Sequence, residues 1–371
     1  MQENIAIKKD ERNYGIDILR MLAMEMIVVL HLMGYGIAVF EGVDNVPPSM
    51  YVHLLLNILC GCGVNLYAFI SGYVASGKKV RFSNLIVLWM RVVFYAVIFV
   101  VIAFIFGLKE FDLNTLIKSF FPTIFNYWWY WTAYFALFIF SPLLNIGIDH
   151  LNRKSGISLF ITLFVLFSVL PTVFMRTHNF NMDSGLSVIW LMVLYVMGGI
   201  AKKFDLFKNI KTWILVLIYL ASVAVIFGTQ LLFDWHHIEL LGNEADGGYF
   251  HNYVSPFTVV SAVALVLIFS RISIKNNIVK KAITLVTPSV FSVYLIHEHF
   301  LVRGFYQGKF SFIKDYNQFV GVLTILGIAT AVFVACILVD IPRDLIFKKL
   351  NIKKKMGALE DKLTSGPVET K

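Results

Sequence analysis

Long apolar stretches alternate with short polar ones along this chain, and the polar ones carry most of the basic residues. A helix that crosses a bilayer needs about 20 mainly apolar residues. Such segments lie near 16–36, 53–76, 85–107, 122–146, 157–175, 187–201, 211–233, 253–270, 287–303 and 318–341, with 187–201 the shortest. The pattern predicts an all-α integral membrane protein of about ten transmembrane helices. Residues 1–347 form the membrane domain, and the Lys-rich segment 348–371 reads as a disordered tail.

Lys and Arg orient these spans. Counting alternate connections, 24 basic residues fall on one side and six (Lys109, Lys118, Arg176, Arg303, Lys309 and Lys314) on the other; Arg20 and Arg91 lie within helices. Basic loops stay cytoplasmic, so an even number of spans puts both termini inside. The basic stretch before the first apolar segment would suit a signal peptide. That segment is too long and lacks a small-x-small cleavage site, so it reads as an uncleaved helix.

Composition agrees. Of 371 residues 58% are hydrophobic and only 15% charged, with 34 Phe and a mean hydropathy of +0.75, beyond what a water-soluble surface tolerates. The net charge of +9 is accounted for by the topological loops, where it faces anionic lipid, rather than by nucleic acid. Cys60, Cys62 and Cys336 sit inside apolar segments and form no disulfide framework or zinc spacing.

Ionisable groups inside spans are costly, and so are candidates for function. The first span carries Asp17, Arg20, Glu25 and His31. At 100° per residue, eleven steps from Arg20 to His31 make about three turns, so Asp17, Arg20 and His31 share a face with His31 roughly 16 Å farther along. Arg91 lies early in the third span. His297 and Glu298 lie in the ninth, where they either pack or line a cavity. The run Asn126–Trp131 suits an interfacial aromatic belt. Gly63 and Gly72 suit close helix packing. The connection 234–252, with His236, His237, Glu239, Glu244, Asp246 and His251, reads as a lid or a solvated loop.

Taken together, Tyr14-Gly15-Ile16-Asp17-Ile18-Leu19-Arg20 with His31 resembles acyltransferase family three, the multi-pass bacterial O-acyltransferases of cell-surface glycans. The stretch Gly63–Tyr73, Arg91, Trp129-Tyr130-Trp131 with Ser141-Pro142-Leu143-Leu144, Tyr294–His297 and Asp340-Ile341-Pro342 are similar to the family's later motifs. Asn65 stands where the family has an acidic residue, and Leu88 where it often has a second arginine.

The resemblance implies a plasma-membrane enzyme that moves an acyl group, usually acetyl, from cytoplasmic acyl-CoA to a glycan or lipid-linked sugar. His31 is then the candidate base or acyl carrier with Asp17. Arg20, Arg91 and Ser71 are candidate cofactor-binding residues, and Trp129, Trp131, His297 and Glu298 candidate substrate-binding residues. No metal is expected. The rival reading is a secondary transporter of a small anionic or lipid-linked solute, but no Gly/Pro-broken helices recur in matching halves.

Overall fold

A computed structural model describes residues 12–41, 46–236, 239–240, 243–244 and 248–365, apart from the side chains of 234–247. Among these the chain is helical, with one two-residue antiparallel ribbon pairing Glu239 with Glu244. The helices are α1 (Tyr14–His31), α2 (Tyr51–Cys60), α3 (Gly63–Ala75), α4 (Phe82–Ile105), α5 (Leu113–Ser119), α6 (Trp129–His150), α7 (Arg153–Phe164) and α8 (Leu170–Val173). They continue as α9 (Val188–Lys203), α10 (Thr212–His236), α11 (Pro256–Ser270), α12 (Asn277–Val286), α13 (Val290–His297), α14 (Phe300–Tyr306), α15 (Gln318–Lys349) and α16 (Ile352–Thr364).

Seven described helical stretches are long and apolar enough to cross a membrane, eight if the pair Asn179–Gly185 and Val188–Lys203, bent by 81°, is one broken span. The expected ten is not reached by this measure. Tyr14–His31 carries Asp17, Arg20 and Glu25, and Pro256–Ser270 has only 15 residues; neither is among the seven.

Asn13 starts α1 by accepting the Ile16 N–H on its side chain, while its amide donates to the Ser270 carbonyl at 2.8 Å. The first turn of α1 is thereby placed against the end of α11. Close backbone approach holds the bundle together where glycine permits it. A Cβ on Gly72 would lie 1.8 Å from the Tyr195 carbonyl oxygen, and one on Gly198 would lie 2.2 Å from that of Phe69. The α3–α9 pair therefore packs backbone to backbone, as the glycine pattern suggested.

Arg12, Lys78, Arg81, Arg153, Lys202, Lys203 and Arg271 gather at one end of the bundle, tied by contacts such as Arg153 to the Phe204 carbonyl and Arg271 to those of Phe207 and Ile210. This is the basic end. At the opposite end α1 runs into a π-helical turn, Leu32–Ile37, whose Tyr35 and Gly36 carbonyls accept from Gly308 and Phe310.

The segment after 348 differs from expectation. Instead of a disordered tail it forms α16, which returns to the start of α4: Glu360 and Asp361 pair with Arg81 at 3.1 and 2.6 Å, and Glu360 accepts from Ser83. Arg343, near the basic end of the last apolar segment, is 2% exposed inside α15 and makes a two-point pair with Asp340, which also accepts from Tyr95. Residues 366–371 lie outside the description.

Candidate active site

His31 occupies the last position of α1 and its ring lies among groups from two distant parts of the chain. Its Nδ1 is 2.9 Å from His297 Nε2 and 2.8 Å from Glu298 Oε2. His297 Nδ1 donates to the Val293 carbonyl at 2.6 Å, one turn back in α13. With that proton committed, neutral His297 presents Nε2 as an acceptor. The His31 Nδ1–H therefore points at His297, and Glu298 stands beside it as a charged partner. Arg303 from α14 holds the other carboxylate oxygen at 2.9 Å. The chain of groups is His31, His297 with Glu298, then Arg303, and it leaves His31 Nε2 with a lone pair for a substrate.

These three residues are also the one described group whose ligand atoms converge closely enough for a metal. Their separations of 2.8 and 2.9 Å are hydrogen-bond lengths. Two ligands on a tetrahedral ion with bonds of about 2.0–2.1 Å stand roughly 3.3 Å apart, wider than these separations.

His31 faces a narrow cavity of about 40 Å³, whose walls include Met24 and Ile27 of α1, Tyr67 of α3, Trp129 and Tyr130 of α6 and Tyr294 of α13. The buried hydroxyls of Tyr130 and Tyr294 have no hydrogen-bond partner. Orphaned donors in a buried cavity are costly unless something else uses them. At the basic end, a larger basin of about 350 Å³ is lined by Arg12, Asp17, Arg20, Tyr73, Lys78 and Lys202. Tyr67 lines the inner cavity and donates to the Arg20 backbone carbonyl at 2.6 Å. The positions Arg20, Met24, Ile27 and His31 lie on one stripe of α1, leading from basin to imidazole.

The other sequence candidates separate cleanly. Asp17 does not reach His31; its carboxylate pairs with Arg12 at 2.5 Å and Arg20 at 3.1 Å, about 21 Å down the helix axis. Glu298 holds the place beside the imidazole instead. Arg91 is away from the Arg20 basin and donates to the Pro288 carbonyl at 2.6 Å. Ser71 spends its hydroxyl on the Tyr67 carbonyl within α3. Trp131 is fully buried and donates to Thr123, whereas Trp129 does line the cavity. Trp128, Tyr130 and Trp131 are buried in protein, so the aromatic run is not an interfacial belt.

Asn65, where an acidic residue was expected, accepts from Trp190 and donates to the Tyr253 carbonyl, a donor-and-acceptor role a carboxylate cannot fill. Of the 234–252 connection, the side chains of His236, His237, Glu239, Glu244 and Asp246 lie outside the description. Sequence reading missed Tyr67, Tyr130 and Tyr294 as cavity walls, and it treated Arg303 only as a topological charge. A basic residue a turn after an intramembrane Glu was the available signal.

A family model described as an acyltransferase domain (Acyl_transf_3) matches residues 13–340, which includes every residue of both cavities except Arg12. Neither a curated protein nor a solved structure matches the chain. With an all-helical apolar bundle and a family match over nearly its whole length, the chain belongs to acyltransferase family three and is a multi-pass membrane acyltransferase.

Proposed function

We propose that this protein transfers an acyl group, acetyl in the simplest case, from cytoplasmic acyl-CoA to a hydroxyl of a cell-surface or lipid-linked polysaccharide at the plasma membrane. The observation that carries the proposal is the imidazole of His31, held on one nitrogen by His297 and Glu298, facing a cavity on the same stripe of α1 that carries Arg20 of a cationic basin.

The basin suits the donor. Arg12, Arg20 and Lys202 place cationic groups around the basin beside Asp17, a setting for CoA phosphates. The pantetheine arm follows the α1 stripe past Tyr67, and the acyl group ends beside His31. The cavity beside His31 is the place for the thioester carbonyl and the acceptor hydroxyl to meet.

His31 Nε2 takes the hydroxyl proton as the oxygen attacks the thioester carbonyl. Glu298 stabilises the resulting imidazolium, and His297 holds the ring. The tetrahedral oxyanion accepts from Tyr130 and Tyr294, whose hydroxyls have no other partner. Collapse breaks the C–S bond, and the imidazolium returns its proton to the departing thiolate.

Replacing His31 by Ala tests this reading. Acyl transfer should fall at least ~10²-fold, the scale of general-base catalysis, with expression and acyl-CoA binding kept. Gln should not rescue, because it cannot take the proton. The measurement is acetate released from purified surface glycan of cells carrying each variant; parental acetate from the His31→Ala protein rejects the mechanism.

A further inference from the structure

Two cavities away from the active site meet at one short loop. The first is an open basin of about 490 Å³ at the basic end, lined by Arg153, Lys203, Asp205, Lys208 and Asn209. The second is a cleft of about 250 Å³ between α7, α9, α10 and α11, lined only by apolar side chains, among them Phe160, Phe164, Met197 and Ala264. Phe207 and Ile210 line both. On α11 the cleft runs from Leu267 to Val259, eight residues or about 12 Å along the helix.

The joining loop is built in advance. Asp205 and Phe207 have φ of +46° and +69°, a region that side-chain-bearing residues rarely adopt. Two arginines hold it there: Arg153 donates to the Phe204 carbonyl at 2.5 Å, and Arg271 donates to those of Phe207 and Ile210 at 3.1 and 2.7 Å. Lys203 spends its donors on the Ile148, Asp149 and Leu151 carbonyls, so it contributes charge rather than a contact. That leaves the remaining N–H groups of Arg153, the exposed Lys208 ammonium and the Asn209 amide around a basin with three cations and one acid.

We infer that this composite cavity is a binding site for one anionic glycerophospholipid, with its phosphate in the Arg153–Lys208 basin and one acyl chain in the apolar cleft. Charge complementarity selects the headgroup, since basic pockets between transmembrane helices hold anionic lipid heads. An all-apolar slot leading from that basin into the bundle selects a lipid over a free phosphate or a nucleotide. The site lies on helix ends other than those that carry His31, so it stands independently of the acyl-transfer reading.

The test is native mass spectrometry of the full-length protein released from nanodiscs holding equal phosphatidylglycerol and phosphatidylcholine. The parent should retain one phosphatidylglycerol in preference to phosphatidylcholine. Lys208→Gln should weaken that retention about fivefold, because a surface basic residue is worth about 1 kcal/mol toward anionic lipid. Ala264→Phe, which fills the cleft, should weaken it by a mechanism that leaves the charge intact, and inorganic phosphate should not compete. Equal retention of the two lipids by the parent, or parental retention in both variants, overturns the inference. So does a Lys208→Gln protein that loses acyl-CoA affinity instead of lipid, which would assign the basin to the nucleotide. Lys208 is exposed and caps no helix, so that variant remains informative should Ala264→Phe fail to fold.

Discussion

Replacing Glu298 by Gln is the sharpest perturbation of the proposed site. The change removes one charge, keeps the shape, and leaves His297 to hold the His31 ring through the contact at 2.9 Å. What disappears is the carboxylate 2.8 Å from Nδ1 when the imidazole becomes a cation. Two unit charges with centres about 4 Å apart interact by roughly 4 kcal/mol at an effective dielectric constant near 20. Arg303, 2.9 Å from the other oxygen, already opposes part of that field, so about 2–4 kcal/mol is the reasonable loss in the transition state. At 1.36 kcal/mol per decade this is a fall of about 30- to 1000-fold in the transfer rate. The effect should appear in kcat with little change in the KM for acyl-CoA, because the basin at Arg20 is untouched. Transfer from radiolabelled acetyl-CoA to the glycan acceptor in isolated membranes, normalised to the amount of protein, reads it directly. The double variant His31→Ala/Glu298→Gln should be no slower than His31→Ala alone, since the carboxylate acts only through that imidazole. A Glu298→Gln protein within threefold of the parent, or additive losses in the double variant, would refute the argument.

Other expectations separate roles along the bundle. Arg20→Ala should raise the KM for acyl-CoA, because it lines the cationic basin, whereas Arg91→Ala should lower thermal stability and leave that KM alone, because it donates to the Pro288 carbonyl; equal KM shifts in both would contradict this division. Gly72→Ala should cost at least about 1–3 kcal/mol by overpacking, since its Cβ would lie 1.8 Å from the Tyr195 oxygen, and an unchanged melting temperature of the purified protein would count against backbone contact between α3 and α9. The Ser83 hydroxyl, the Arg81 guanidinium and the Phe82 and Ser83 N–H groups hold the Glu360 carboxyl at about 2, below its usual 4.5. A depressed carboxyl stabilises the α16 contact fully above 4.5 and loses that contribution as pH falls toward 2. Hydrogen exchange across 352–364 should therefore show less protection, after correction for intrinsic rates, at pH 3 than at pH 6. Equal protection would remove Glu360 from the clamp.

How far these features were readable depended on whether they were local. The apolar runs and the basic bias belong to single segments, so the membrane class followed from the chain alone. His31 was conspicuous for the same reason: an imidazole among Val29, Leu30 and Leu32 is expensive in hydrocarbon whatever surrounds it. Its alignment with Arg20 also followed, because helical periodicity fixes which residues share a stripe. The error lay with Asp17, which shares that stripe but is too far along it, and with Arg91, whose depth in its helix said nothing about which way it faces. The number of spans was blurred by the charges of α1, by α9, bent against the preceding turns, and by the short α11.

Sequence by itself therefore determined the solvent, the helical class and the family. These rest on transfer free energies and motif spacings that add up residue by residue along the chain. Only the tertiary structure decided the partners. His31 and His297 are 266 residues apart and meet because α1 and α13 pack side by side, and Glu298 joins them from the turn after α13 and Arg303 from α14. The same packing put Arg343 into a buried pair with Asp340 and folded residues 352–364 back onto α4. No local preference encodes such pairs. They arise when buried charges must find compensation inside one close-packed bundle, and which charges meet depends on the rotation and depth of every helix at once.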